Sequence, residues 1–228
     1  MNKTVIFFDL FDTLVKVDRG YLEPYFTREI DRMGDIGELP NAESTIKELT
    51  YHSPYLTQMY SIEEMSRYYE GRMQDSLMNI DANVLHMLQS LKDAGYELCV
   101  ISDAAEVDIM HWDESPLAQF FDKTVFSCRE HLVKPDPALF HSAQHQMGDP
   151  STSVFVGDGG HSELIGAKAA GMYAIKAEWT KNRREPEICA QADIQLQHPG
   201  QLPALMHMLE RAQTSEIDTP EQDEPEVK

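Results

Sequence analysis

Positive charge is scarce in this chain. Its 228 residues include 19 lysines and arginines against 39 aspartates and glutamates, a formal net charge of −20. Such a chain repels nucleic acid and anionic membrane surfaces, so neither is expected as a partner. An anionic substrate has to be met by a local cation or a bound metal. Cysteine is scarce as well. Cys99, Cys128 and Cys189 form an odd set without paired spacing, which argues against a disulfide framework and fits a reducing, cytoplasmic setting. No run approaches the roughly 18 apolar residues of a membrane-spanning helix. The amino terminus passes directly into a strand pattern, without the charged and apolar regions of a signal peptide. The rest is ordinary for a globular chain: 42% hydrophobic and 25% charged residues suit one medium domain, with room for a smaller insertion.

Short apolar runs alternate with helical patterns. Strands are expected at Thr4–Asp9, Glu97–Ser102, Val125–Phe126, Ser153–Val156, Tyr173–Ile175 and Ile194–Leu196. Helices are expected at Asn83–Ala94, closed by Gly95, at Pro137–Met147, at Glu163–Ala170, closed by Gly171, and at Pro203–Arg211. Strand–helix alternation predicts an α/β fold: a parallel sheet with right-handed crossovers and helices on both faces. Residues 16–81 break the alternation. They offer helices near Tyr21–Met33, Ala42–His52 and Ser61–Met78, read as an α-helical cap inserted after the first strand. The core is then 1–15 and 82–213. Thr214–Lys228 is acidic, holds two prolines and lacks aromatics, the composition of a disordered tail.

Four chemically suggestive elements fall at or just after strand ends. They are Asp9-Leu10-Phe11-Asp12-Thr13, then Ser102, then Lys134 in Val133-Lys134-Pro135-Asp136-Pro137, then Gly157-Asp158-Gly159-Gly160-His161-Ser162-Glu163. Singly, each is as well read as a cap, a turn or a solvated charge. A parallel sheet, however, brings all four loops to one edge, where open α/β sheets bind ligands. Asp9, Asp158 and Glu163 together would place three carboxylates in one site, an arrangement that a hard divalent cation such as Mg²⁺ relieves. Lys134 adds a fixed positive charge, and the Ser102 hydroxyl and loop amides can donate to phosphate oxygens. In-line attack by Asp9 on phosphorus would give an aspartyl-phosphate that water hydrolyses.

These segments resemble the haloacid dehalogenase superfamily of hydrolases, which are mostly phosphatases. The resemblance covers Val5–Thr13, Val84–Ser102, Phe126–Phe140 and Val154–Gly171, and is carried most specifically by VKPDPALF and VGDGGHSELIGAKAAGM. It implies a Rossmann-like core with a helical cap between the first and second motifs. Asp9 is then nucleophile and metal ligand. Ser102 and Lys134 bind the phosphoryl group and the nucleophile. Asp158, the Phe11 backbone carbonyl and Glu163 complete the Mg²⁺ site, and the substrate is a small phosphorylated, anionic molecule.

One residue departs from the pattern. Phosphatases of this family usually carry a second acid two residues after the nucleophile, to protonate the leaving group and activate water. Here that residue is Phe11. Asp12 follows it. In an extended segment Asp12 would point to the opposite side, and only a bend would bring it in. His161 and Glu163 are further candidate proton carriers. An aromatic at this position resembles the dehalogenase branch, whose halide leaves without a proton, yet the acids Asp158 and Glu163 favour a metal and a phosphate. A 2-haloacid dehalogenase and a catalytically degenerate binding or regulatory protein therefore stand beside the phosphatase reading. Arg28, Arg32, Arg67 and Arg72 on helical segments could hold an anionic group, though a solvated helix face is the simpler reading. His141 and His145 have zinc-like spacing without an evident third ligand.

Overall fold

The computed structural model describes residues 3–179 and 191–217. Six parallel strands form one sheet: β1 (Thr4–Phe8), β2 (Glu97–Ser102), β3 (Lys123–Phe126), β4 (Thr152–Gly157), β5 (Tyr173–Ala177) and β6 (Ile194–Leu196). Their spatial order is β3-β2-β1-β4-β5-β6. The chain steps outward from β1 to β3, then returns to the other side of β1 with β4. That reversal opens a crevice at the carboxyl ends of β1 and β4, the general ligand position of such sheets. Phe8 pairs with Val156 at this end, so Asp9 and Asp158 emerge side by side.

The strands read as unbroken apolar runs because both faces are covered. Ile6 and Phe8 pack on one side with Leu98, Val100, Val154 and Val156. Val5 and Phe7 pack on the other with Cys99, Ile101 and Phe155. The first face is closed by α4 (Ala82–Asp93) and α9 (Gln201–Ile217), through Leu88, Leu91, Leu202 and Met206. The second is closed by α7 (Pro137–Gln146) and α8 (Glu163–Ala169), through Leu139, Phe140, Leu164 and Ala167. Cys99 and Cys128 are free and buried; Cys189 lies outside the described residues.

Between β1 and α4 the chain forms α1 (Arg28–Asp35), α2 (Ala42–His52) and α3 (Ile62–Met78). Local chemistry sets their starts. The Asn41 side chain accepts from Ser44 N, and Ser61 and Glu64 form a reciprocal capping box. The single helix expected over Tyr21–Met33 is divided in two. A 3₁₀ turn covers Gly20–Tyr25, the backbone extends at Phe26 and Thr27, and Thr27 Oγ1 accepts the Ile30 amide to start α1. Pro24 lacks an amide hydrogen, so the first turn cannot run on as a regular α-helix. These helices have their own apolar cluster, which includes Leu22, Ile30, Ile46, Leu49, Met65 and Tyr69.

That cluster also takes in Ala105 and Val107 from the sheet side. They flank and belong to α5 (Glu106–Ile109), a short helix with no periodicity to announce it. A Cβ on Gly34 of α1 would sit 2.9 Å from the Ala105 Cβ, so the two parts meet closely there. Nearby, the Tyr69 hydroxyl donates to Asp108 at 2.7 Å, and Ser115 Oγ donates to the Leu77 carbonyl at 2.7 Å. Another short helix, α6 (Ser127–Glu130), follows β3. At the carboxyl end, α9 includes Thr214–Ile217, which composition alone assigned to a tail. Once a helix is nucleated, each further residue adds a hydrogen bond at little cost, so weak formers are carried along. The remaining residues of the expected tail lie outside the described residues.

Close packing also ties α8 to the Lys134 loop. A Cβ on Gly166 would lie 2.5 Å from the Pro135 carbonyl oxygen and 2.7 Å from the Phe140 ring. Gly166→Ala is therefore expected to destabilise the protein by about 1–3 kcal/mol. Thermal unfolding checks this; an unchanged midpoint would mean that α8 can shift at no cost.

Candidate active site

Asp9 follows β1 directly, and its amide donates to the Val156 carbonyl at 2.9 Å. The residue is 4% exposed. One carboxylate oxygen accepts from Thr13 Oγ1 at 2.8 Å, the other from Lys134 Nζ at 2.5 Å. The same ammonium lies 2.6 Å from Glu163 Oε2. Thr13 is anchored in turn, since Trp179 Nε1 donates to its carbonyl at 2.9 Å. Burial opposes the charge on Lys134, but Asp9, Glu163 and Asp103 outweigh it and hold its pKa well above the ordinary lysine value.

Asp158 and Glu163 come from the loop after β4. The Gly160 amide donates to Asp158 Oδ1 at 2.8 Å, and the Gly159 amide to Glu163 Oε1 at 2.9 Å. Glu163, the first residue of α8, is 1% exposed. Its carboxylate fills the space that a side chain at Gly157 would occupy, so the last residue of β4 has to be glycine. Ligand atoms of Asp9, Asp158 and Glu163 all lie within 4.8 Å of one another. Burial, then the charge of Asp9, pushes Asp158 up to about 6. The same two causes push Glu163 upward, against the pull of Lys134. Three carboxylates share a pocket in which one ammonium offsets part of their charge, and both raised values register the remainder.

A cavity of about 420 Å³ opens over these groups. Asp9, Asp12, Lys134, Asp158 and Glu163 line it, together with Phe11, Arg19, Asp35, Asp103, Asp108 and His161. Asp12 is there because the backbone bends: its φ is +58°, and its amide donates to the Val15 carbonyl at 2.6 Å. A left-handed residue after Phe11 ends the extended alternation, so Asp12 does not simply face away. Its charge contributes to raising Asp158. Phe11 is half-buried and packs against both the sheet cluster and the helical cluster of residues 20–78.

Other sequence candidates are placed differently. Ser102 closes β2 but is fully buried; its hydroxyl donates to the Asp103 carbonyl at 3.1 Å, and it does not line the cavity. Its neighbour Asp103 does. Asp103 accepts the Lys134 amide at 2.9 Å and lies 3.2 Å from His161 Nδ1, which raises the pKa of the imidazole. His161 and Ser162 both have positive φ, 49° and 56°, a conformation costly for side-chain-bearing residues that turns the imidazole toward Asp103. None of the four arginines singled out in the sequence lines the cavity. Arg28 and Arg32 are exposed, Arg67 pairs with Glu63, and Arg72 pairs with Asp18. The arginine that does line it is Arg19, from a segment without periodicity. His145 pairs with Asp149 and His141 contacts Gln144, so neither serves a shared metal geometry.

Asp35, at the end of α1, faces the cavity from the helical side. Burial, Asp103 and Asp108 push its carboxyl from an ordinary 3.8 up to about 8. A carboxyl raised on folding contributes stability that is complete below its unfolded value and is lost as pH rises toward its folded value. Asp35→Asn removes that loss. Its thermal midpoint is expected to gain on the unaltered protein by several degrees between about pH 5 and about pH 8. A constant difference over that range would show that Asp35 ionises freely in the folded state.

The sequence matches the family model of haloacid dehalogenase-like hydrolases over residues 6–177. It is 35% identical over 109 residues to a glyceraldehyde 3-phosphate phosphatase of Methanothermobacter thermautotrophicus, covering 45% of this chain and 47% of the relative. That match thus spans just under half of the relative's length. A glyceraldehyde 3-phosphate phosphatase of Pyrococcus furiosus is 27% identical over 239 residues, covering 93% of this chain and 95% of that one. Among solved structures, a dehalogenase superposes with a TM-score of 0.67 at 18% identity, covering 89% of this chain and 96% of the other, a likeness of fold. With its strand order, its acid-lined crevice between β1 and β4 and a family match across most of its length, the chain belongs to the haloacid dehalogenase-like hydrolases.

Proposed function

We propose that this protein is a Mg²⁺-dependent cytoplasmic phosphatase that hydrolyses a small phosphorylated metabolite through an aspartyl-phosphate at Asp9. In this reading residues 16–81 act as a cap over a core of 1–15 and 82–213. The observation that carries it is the buried set of Asp9, Asp158 and Glu163 around the Lys134 ammonium, at one end of the cavity. A halide-displacing carboxylate needs no such set, whereas a phosphoryl group needs positive charge. The names of the two matched phosphatases support a small phosphomonoester as substrate.

The donor set suits Mg²⁺: oxygen ligands only, close together, with more negative charge than Lys134 offsets. Asp9, Asp158 and Glu163 would hold the ion, with the Phe11 carbonyl as a further ligand. When bound, Mg²⁺ supplies neutralisation of charge on the phosphoryl oxygens. The protein groups do the rest. Thr13 and Lys134 fix the Asp9 carboxylate through hydrogen bonds to both oxygens. Its attack forms an O–P bond to the carboxylate and breaks the bond to the leaving oxygen, which takes a proton. Water then cleaves the acyl-phosphate, releasing inorganic phosphate and restoring the carboxylate. Asp12, bent into the cavity, is assigned the proton transfers that Phe11 cannot make. Ser102, fully buried and off the cavity wall, is given no part in these steps.

Asp9→Asn is expected to lower turnover of any phosphate ester at least about a thousandfold. Asp12→Asn is expected to slow esters with poor leaving groups far more than aryl phosphates; equal rates with the unaltered enzyme across a leaving-group series would remove Asp12 from the mechanism. Independently of activity, Mg²⁺ is expected to raise the thermal midpoint, by about 2.7 kcal/mol of stabilisation at a hundred times its dissociation constant. Asp158→Asn is expected to abolish most of that rise. Phe11 on the cavity wall favours one other reading, a 2-haloacid dehalogenase. Chloride release from 2-chloropropionate that is indifferent to chelator would establish it in place of the phosphatase.

A further inference from the structure

The phosphatase reading accounts for one end of the cavity and leaves the opposite wall without a role. Arg19, Asp31 and Asp35 form that wall from the helical segment, and Asp103 and Asp108 face them from the sheet side. The Arg19 guanidinium donates once, from Nη1 to Asp31 at 2.9 Å, and lies 4.0 Å over the Phe26 ring. Its Nε is buried and has no hydrogen-bond partner. Arginine carries five N–H donors and no acceptor, and a buried donor without an acceptor is rare and costly in folded proteins. The Asp35 carboxyl makes no hydrogen bond or ion pair among the described residues, although it lines the same space. Among the described residues Arg19 commits one of its five N–H donors and the Asp35 carboxyl none of its oxygens, and both residues line a cavity continuous with Asp9.

Three kinds of leaving group can be weighed against this wall. A second anionic group meets two cations, Lys16 and the Asp31-paired Arg19, against four more carboxylates, Glu23, Asp35, Asp103 and Asp108. Burial first, then those last two acids, push Asp35 up to about 8. An ammonium group suits the carboxylates but is repelled by Arg19 and Lys16 and offers the guanidinium no acceptor. A hydroxyl offers both an oxygen to accept from Arg19 and a hydrogen to donate to Asp35. We propose that this wall is the leaving-group subsite and selects a neutral, hydroxyl-bearing alcohol, with Arg19 and Asp35 as the specificity-determining pair. The inference rests on the phosphatase reading and narrows its substrate class.

Three phosphomonoesters of similar size separate the possibilities: glycerol 3-phosphate, 3-phosphoglycerate, which carries a carboxylate, and phosphoethanolamine, which carries an ammonium. With the full chain and Mg²⁺, kcat/KM for glycerol 3-phosphate is expected to exceed both others at least about tenfold. Arg19→Gln and Asp35→Asn are each expected to shrink that preference to about threefold or less. Asp35→Asn should do so partly by improving turnover of 3-phosphoglycerate. Equal or better turnover of 3-phosphoglycerate or phosphoethanolamine by the unaltered enzyme overturns the inference and leaves the phosphatase reading standing. p-Nitrophenyl phosphate reports on that reading separately. If it too is inert, calorimetric binding of the three esters to the unaltered chain with Mg²⁺ decides the matter. Tighter binding of glycerol 3-phosphate sustains the subsite. Equal, reversed or absent binding overturns it. The unaltered protein's preference decides even if a variant fails to fold.

Discussion

The organisation of the site depends on one buried ammonium. Lys134 stands between Asp9 and Glu163, within 2.6 Å of each. Two carboxylates this deep are unfavourable without a counter-charge, and removing one partner of such a set costs far more than its presence gains. The contact also joins three parts of the chain that meet nowhere in sequence: the end of β1, the loop before α7 and the start of α8. Asp103 extends the linkage by accepting the Lys134 amide and approaching His161. The loops at the carboxyl edge of the sheet are thus tied to each other electrostatically, above a core tied together by apolar packing.

Much of this was legible in the residues. The strands were readable because both faces of the sheet are covered, which makes each a short unbroken apolar run. α2 was readable to its ends because Asn41 caps one and Ser53-Pro54 breaks the other. Asp9, Asp158 and Glu163 were readable from their position after strands, since a parallel sheet sends all such loops to one edge; Lys134, which follows α6 rather than a strand, was readable from the Val133-Lys134-Pro135-Asp136-Pro137 run. The boundary between Tyr25 and Arg28 was not, because a Thr cap inside an otherwise helical pattern competes with propagation and the winner depends on packing.

The cavity's far wall was illegible for a different reason. Arg19 and Asp35 belong to segments whose placement is fixed by contacts distant in sequence: Gly34 against Ala105, Tyr69 with Asp108, His131 with the Ile36 carbonyl. No local periodicity encodes those contacts, and the helical pattern points instead to Arg28, Arg32, Arg67 and Arg72. Ser102 shows the opposite limit. Its position at a strand end was correctly read, but the direction of its hydroxyl depends on the adjacent carbonyl, which sequence does not orient.

Phe11 has a consequence beyond the chemistry it withholds. Its ring touches the apolar cluster of the sheet and that of the inserted helices, so it works as mortar between two separately packed bodies. An aspartate there would gain a proton donor and lose that adhesion, while adding another negative charge beside Asp9, Asp12 and Asp158. Cohesion and acidity compete for a single side chain at this joint, and this chain has settled the competition in favour of cohesion.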